Sequence, residues 1–302
     1  MSWIQVSKFV SKKNCKHSPK IRNFSIVTKL KAPQSGTCAP LQATAWWAKF
    51  SQVKPGLGPG LGSRNTPRTP SSRYQEMSIT GLVLARGGSK SIKRKNLVLL
   101  NNQPLLLRCL EVVREAGCFN SIWVSTDDEK IAECAVKGGA KVHHRAEYTA
   151  ADEASSLCAV QEFLQYHPEI SIMCIIQCTS PFIQAKYLRK GMEKIQSGYD
   201  SVFSVTRRHL LRWSEGEQSY PLNFNPKQRP RRQDWAGEMY ENGMFYFCRT
   251  NLIREGRLQG GSRCGYIEVP LCDSLDIDSP FDIIVAQSWI SYCQRENNKQ
   301  NL

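Results

Sequence analysis

Three groups of residues carry side chains able to handle phosphate, a divalent cation and a carboxylate. The first is the run from Leu82 to Asn96, LVLARGGSKSIKRKN, a glycine-rich turn directly after an apolar segment that brings Arg86, Lys90 and Lys95 together. Backbone N–H groups in such a turn can cradle phosphate, and cations are more than a plain turn requires. Neither the G-x-x-x-x-G-K-[ST] spacing of a Walker loop nor the G-x-G-x-x-G spacing of a dinucleotide loop is present. The chemistry suits a triphosphate. The second group lies in DSLDIDSPFD, Asp273 to Asp282. Asp276 and Asp278 stand two apart, so in an extended strand both carboxylates face one side and make a hard oxygen site suited to Mg²⁺. Solvated strand-end acids are the plainer alternative, and Asp282 reads equally well as an acid at a helix N-terminus. The third group is the basic run KQRPRR, Lys227 to Arg232, where Arg231 or Arg232 could grip a carboxylate with a bidentate fork. The same run has nuclear-import character, interrupted by Gln228.

The elements that must position these groups alternate from Ile79 onwards. Residues 79–85 read as a buried strand leading into the glycine-rich loop of residues 86–96. Residues 105–116 have helical spacing (Leu106, Cys109, Leu110, Val113) and end at Gly117. Strands follow over 121–126, 141–144, 170–177 and 201–206, separated by helices over 129–137, 154–166 and 186–196. The last predicted helix ends before Ser291. Strands joined by helices of that length imply parallel β-α-β units, hence a three-layer, doubly wound α/β fold with a mainly parallel sheet. Ligands of such sheets bind at the carboxyl ends of the strands, where the glycine-rich loop lies.

That loop resembles the signature A-R-x-x-S-K-G-[ILM]-P-x-K-N of the CMP-sialic acid synthetases, the N-acylneuraminate cytidylyltransferases. Ala85, Arg86, Ser89, Lys90, Ile92, Lys95 and Asn96 match, while Ser91 replaces Gly and Lys93 replaces Pro. Loss of the glycine would strain a position needing positive φ, and loss of the proline removes a stiffener. Further segments resemble the family over residues 79–290: Ser125 to Asp127; Arg145 to Glu147 with Asp152 and Ala154 to Ser156; Gln177 to Pro181; Arg231 to Trp235; and Tyr240 to Tyr246. The last two resemble the animal branch more than the cytidylyltransferases for the bacterial sugar acid KDO.

The resemblance implies transfer of CMP from CTP to the anomeric hydroxyl of a sialic acid (Neu5Ac, Neu5Gc or KDN), with release of pyrophosphate. It implies Mg²⁺ as cofactor, held by Asp276 and Asp278. Arg86 and Lys90 would be catalytic contacts to the CTP phosphates; Ser89, Lys95, Asn96, Arg145 and Ser156 would bind CTP. Gln177, Arg231, Arg232, Gln233, Asn242 and Tyr246 would bind the sugar. The resemblance also implies a homo-oligomer, dimer or tetramer, and a nuclear location. Vertebrate members carry an additional phosphatase-like C-terminal domain that is not expected here. A CTP-binding relative with a weakened loop, or a KDO-type enzyme, is the alternative.

Composition narrows the remaining classes. The chain has 302 residues and a net charge of +15, but thirteen Lys or Arg and no Asp or Glu lie in residues 1–75. The remaining 28 basic and 26 acidic residues nearly cancel, so the charge belongs to the N-terminal stretch and nucleic-acid binding by the domain is not expected. Residues 1–78, with the low-complexity stretch PGLGPGLG, are expected to form a disordered basic extension, and 79–302 the catalytic domain. An acid-free extension could also act as a mitochondrial transit peptide; a cytoplasmic location is the other alternative. No run approaches the roughly 18 apolar residues of a membrane span, and a soluble, non-secreted protein is expected. The twelve cysteines lack any C-x-x-C pair and read as free thiols.

Overall fold

The computed structural model describes residues 78–300. The expectations for the basic extension fall outside the described residues.

Along the chain, β1 (Ile79–Leu84) is followed by the short strands β2 (Leu99–Leu100) and β3 (Gln103–Pro104), α1 (Leu105–Ala116), β4 (Ser121–Thr126), α2 (Glu129–Lys137) and β5 (Lys141–His144). Then come α3 (Ser156–Tyr166), β6 (Ile172–Ile176), α4 (Ala185–Gln196), β7 (Ser201–Arg208), β8 (Glu238–Arg249), α5 (Thr250–Arg254), β9 (Cys264–Glu268) and α6 (Pro280–Gln300). Seven strands form one sheet in the order β5-β4-β1-β6-β8-β7-β9, and only β8 runs against its neighbours. The expected three-layer, doubly wound, mainly parallel architecture is present.

The central strands are apolar on both faces because helices cover both. In β1, Ile79 and Val83 pack with Leu106 and Leu110 of α1, Ile131 of α2 and Leu188 of α4. Leu82 turns the other way, to Val160 and Phe163 of α3 and Leu252 of α5. β6 repeats the alternation, with Ile172, Cys174 and Ile176 on the first side and Met173 and Ile175 on the second. A third cluster seats α6 through Ala286 and Ile283 on Leu100 and Leu105, beside the β2–β3 hairpin.

The β2–β3 hairpin and α5 are not among the expected elements, and two further departures bear on the sheet and its cover. β8 and β9 lie beyond the last expected strand. The first half of β8, EMYEN, is too polar to read as a buried strand, and Gly243 at φ 75° sits where the pairing with β7 shifts between Phe203 and Val205. The bulge interrupts the period-two pattern that would reveal the strand. α6 also continues to Gln300 rather than ending before Ser291, since no Gly or Pro stops it.

From β1 the chain crosses to β4 on one side, and later reaches β6 on the other. The loops leaving β1 and β6 therefore diverge, and a crevice opens between them at the carboxyl ends of the strands. Among the described residues no helix is long and apolar enough to cross a membrane, and every cysteine is a free thiol.

Candidate active site

Ala85 N–H donates to the carbonyl of Ser125 (2.9 Å), so the backbone leaves the sheet at Arg86. Gly87 N–H then donates to Asp127 Oδ1 at 2.9 Å. A Cβ on Gly87 would fall 2.7 Å from Cβ of Asp128, so the close approach admits only glycine. Asp128 caps α2, its Oδ1 accepting from the N–H groups of Lys130 (2.9 Å) and Ile131 (3.1 Å), while its Oδ2 accepts from Arg94 Nε at 3.0 Å. Burial raises the Asp128 carboxyl, but the Arg94 guanidinium and the helix N–H groups outweigh it and hold the group below the usual carboxylate range. Arg94 adopts φ 49°. Its carbonyl accepts from Leu97 N–H (2.8 Å), starting the 3-10 turn Lys95–Leu97. Ser91 is not among the positive-φ residues. The strain expected from losing the family's glycine there is absent, because the left-handed residue of this bend is Arg94, three positions on.

The loop forms one wall of a cavity of about 400 Å³, whose lining includes Arg86, Ser89, Lys95, Asn96, Arg145, Ser156, Gln177, Tyr246, Asp276 and Asp278. Ten of the residues singled out in the sequence thus converge from loops after β1, β5, β6 and β9, from α3 and from β8. Arg86 Nη1 donates to Asp152 Oδ1 at 2.9 Å and to the carbonyls of Ala150 and Ala151. Lys90, largely exposed and outside the lining, pairs through Nζ with Asp152 Oδ2 at 2.7 Å. Buried Asn96 donates from Nδ2 to the carbonyl of Arg86 (2.9 Å) and so closes the loop on itself. Arg145 is buried, with Nη2 on the carbonyl of Ser125 (2.5 Å) and Nε on its hydroxyl (3.1 Å). Burial pulls its pKa down to about 10, with Asp127 and Glu162 opposing, so it stays cationic at neutral pH. Ser156 opens α3 behind Ser155, whose Oγ caps the helix by accepting from Cys158 N–H. That positive helix end also faces the cavity.

Asp276 and Asp278 occupy an extended segment outside the sheet rather than the expected strand. The alternation still holds, because Ile277 between them is buried and its N–H donates to the carbonyl of Thr179 (2.9 Å). Upstream, buried Asp273 accepts from Tyr187 Oη (2.5 Å) and Gln184 Nε2 (2.7 Å), fastening the segment to the start of α4. Lys95 Nζ reaches Asp278 Oδ1 at 2.7 Å, joining the glycine-rich loop to the carboxylate pair. Burial, with the nearby charge of Asp278, raises the Asp276 carboxyl against a hydrogen bond from Thr179. Its Oδ1 is buried with no protein partner. A carboxylate oxygen without a protein partner, on a residue that lines the cavity, suits a hard divalent ion. No third His, Cys, Asp or Glu joins the pair among the described residues, which suits Mg²⁺, an ion that takes one or two carboxylates and completes its shell from water and substrate phosphate. Asp282 accepts from the N–H groups of Asp278 and Ser279 and from the Ser279 hydroxyl, so it serves as the acid at the start of α6.

Four expected sugar contacts lie elsewhere. Asn242 spends its amide within the β8 bulge, Nδ2 on Thr206 Oγ1 (2.9 Å) and Oδ1 on Met244 N–H (3.2 Å). Arg231 pairs with Asp234 at 2.9 Å on an exposed arm between β7 and β8, and Arg232 and Gln233 are exposed beside it. These four do not line the cavity. Of the pair that does, Tyr246 donates its hydroxyl to Glu241. Sequence reasoning passed over Gly87, Asp128, Thr179 and Asp273 as positioning groups. Only Asp128 carried a visible signal, an acid directly before a helix.

The sequence matches the cytidylyltransferase family over residues 80–264. Among curated proteins, N-acylneuraminate cytidylyltransferase A of Danio rerio is 45% identical over 235 residues, covering 76% of this chain and 54% of that protein. N-acylneuraminate cytidylyltransferase of Oncorhynchus mykiss is 42% identical, covering 72% of this chain and 51% of that protein. The chain therefore spans about half the length of these relatives. Among solved structures, a CMP:2-keto-3-deoxy-manno-octonic acid synthetase complexed with CTP superposes with a TM-score of 0.55 at 15% identity, covering 71% of this chain and 99% of that one. At that identity the likeness concerns the fold alone. With a matching model over most of the described sheet and a cationic loop facing paired carboxylates at its switch point, the chain belongs to the cytidylyltransferase family.

Proposed function

We propose that this chain transfers the cytidylyl group of CTP to the anomeric hydroxyl of a sialic acid, Neu5Ac, Neu5Gc or KDN, forming CMP-sialic acid and pyrophosphate. The observation that carries the reading is the convergence, in one cavity, of Arg86 and Lys95 from the glycine-rich loop with Asp276 and Asp278. In such a displacement the sugar oxygen bonds to the α-phosphorus, the bond to the β-phosphate oxygen breaks and the hydroxyl proton is released. Negative charge develops on both sides, so cations aimed at the phosphates lower the barrier. Arg86 and Lys90 would leave Asp152 to meet the phosphates, with Ser89 beside them. Arg145 and Ser156, on the α3 side, would hold the nucleoside, and Asn96 would keep the loop closed beneath it. Asp276 and Asp278 would hold Mg²⁺, which supplies charge neutralisation at the leaving pyrophosphate. Gln177 and Tyr246 face the remaining space, where the sugar would lie.

The position of Arg231, Arg232 and Gln233 away from the cavity supports a homo-oligomer. Their arm exposes Leu210, Trp213, Tyr220 and Leu222, and a second copy covering this apolar surface would bring those cations near a sugar carboxylate. Sedimentation of the full chain should give a dimer or tetramer, and a monomer would remove that part of the reading. The exposed run Lys227 to Arg232 supports nuclear import, which imaging of the tagged chain checks. Radiolabelled CTP incubated with Mg²⁺ and each of the three acids, with KDO as control, should yield CMP-sialic acid. Failure with all three acids would refute the function.

A further inference from the structure

The loop that carries Arg86, Ser89, Lys90 and Lys95 lacks the proline that would stiffen its bend, since Lys93 stands in that place, and Ser91 replaces the glycine of the pattern it resembles. Something else must hold its arc, because a cationic loop aimed at a polyphosphate repels itself and gains entropy by opening. The structure offers one group in contact with both ends of that arc. Asp128 lies against Gly87 so closely that an added Cβ would stand 2.7 Å from its own Cβ, and its Oδ2 receives Arg94 Nε at 3.0 Å. Its neighbour Asp127 accepts the N–H of Gly87 at 2.9 Å. The arc from Gly87 to Arg94 therefore rests on two consecutive acids at the start of α2.

The conformation of Arg94 points the same way. It is left-handed, at φ 49° and ψ 50°, a region that residues with a Cβ avoid unless the surroundings hold them there. An ion pair of which one partner, Asp128, is half-buried, and whose other oxygen is already fixed by the N–H groups of Lys130 and Ile131, supplies that hold. The left-handed turn is also what delivers the next two residues. Lys95 swings to Asp278 at 2.7 Å and Asn96 back to the carbonyl of Arg86 at 2.9 Å.

We propose that Asp128 and Arg94 form a strap that positions the glycine-rich loop for the triphosphate, in place of the stiffening that Pro would give at 93. Both are positioning residues. Neither lines the cavity, and they act through the loop. The inference rests on the reading of this cavity as a CTP site, and its test separates the two.

The strap is tested in the full-length protein by amide hydrogen exchange over residues 86–97 and by calorimetric titration with CTP. Asp128→Asn is the informative variant, because Asn caps a helix about as well as Asp and only the ion pair is lost. Arg94→Ala removes the same pair from the other side and leaves α2 untouched. Each is expected to speed exchange across the loop and to weaken CTP binding about two- to fivefold. The double variant should be no worse than the poorer single one, as coupled partners require. Lys93→Pro placed on Arg94→Ala should recover part of the loss by stiffening the bend directly. Unchanged exchange, faster exchange with unaltered CTP affinity, or losses that add in the double variant would each overturn the proposal. If the wild-type chain does not bind CTP the functional reading fails, while the exchange data still decide whether the pair holds the loop.

Discussion

Replacing Tyr187 with Phe removes a single hydroxyl, and the structure fixes what that hydroxyl does. Its Oη lies 2.5 Å from Asp273 Oδ2 with both residues buried, at 3% and 7% exposure, so water cannot stand in. Hydrogen bonds to a charged partner contribute about 1.5–3 kcal/mol. Gln184 Nε2 remains on the same oxygen at 2.7 Å, which places the loss toward the lower half, about 2 kcal/mol. The ring stays, with its contact to Lys186. For a domain of this size about 2 kcal/mol lowers the melting temperature by roughly 4–8 °C. The same bond fastens the segment that carries Asp276 and Asp278, so under the proposed function the Mg²⁺ concentration for half-maximal CMP transfer should rise. Thermal denaturation of the full chain gives the first quantity and transfer assays across a Mg²⁺ series give the second. A melting temperature within about 1 °C of wild type would show that the buried bond carries no weight. A lower melting temperature with an unchanged Mg²⁺ response would show that Asp273 stabilises the fold without positioning the carboxylates.

Asp276→Asn should abolish transfer yet melt higher at neutral pH. Burial raises the Asp276 carboxyl above its unfolded value, so its protonated form favours folding at low pH and that contribution is lost as pH rises through the raised value. Melting curves of the two proteins should converge below about pH 3, where the carboxyl is protonated in the folded and unfolded chain alike, and a gap that persists there would contradict the burial argument. Asp152→Asn frees Arg86 and Lys90 from a competing carboxylate, so CTP dissociation constants should fall roughly two- to fivefold, the size expected when exposed ion pairs are lost; weaker CTP binding would mean that Asp152 holds the cations in place for the ligand. Asn242→Ala should lower stability by about 1–2 kcal/mol through its two bulge hydrogen bonds, leaving the KM for the sugar within about twofold; a large KM change would return Asn242 to the sugar site.

Apart from the short β2–β3 hairpin, the elements up to Thr206 were legible because local physics determines them. Apolar residues on both faces of β1 and β6 need helices above and below, Gly117 ends α1 at φ 65°, and Asp128 stands directly before α2. The loop motif and the carboxylate pair were legible for the same reason, since an unusual density of cations after a strand and two acids on one face are local facts. The bulged strand β8 was not, because its polar half stays partly exposed and a register shift hides its alternation. The site divides along the same line. Residue types at 86, 90, 95, 276 and 278 pointed to phosphate and divalent-cation chemistry before any fold was known, whereas 145 and 177 were singled out only by the family resemblance. Only the packed chain decided that Asn242 braces a bulge, that Arg231 turns to Asp234 and that Arg94, not Ser91, takes the left-handed turn. Only packing, too, joined Lys95 to Asp278, 183 residues apart in the chain. Chemistry resides in side-chain types, which a sequence states outright, whereas the partner that claims each side chain depends on which distant segments the sheet order brings within about 3 Å.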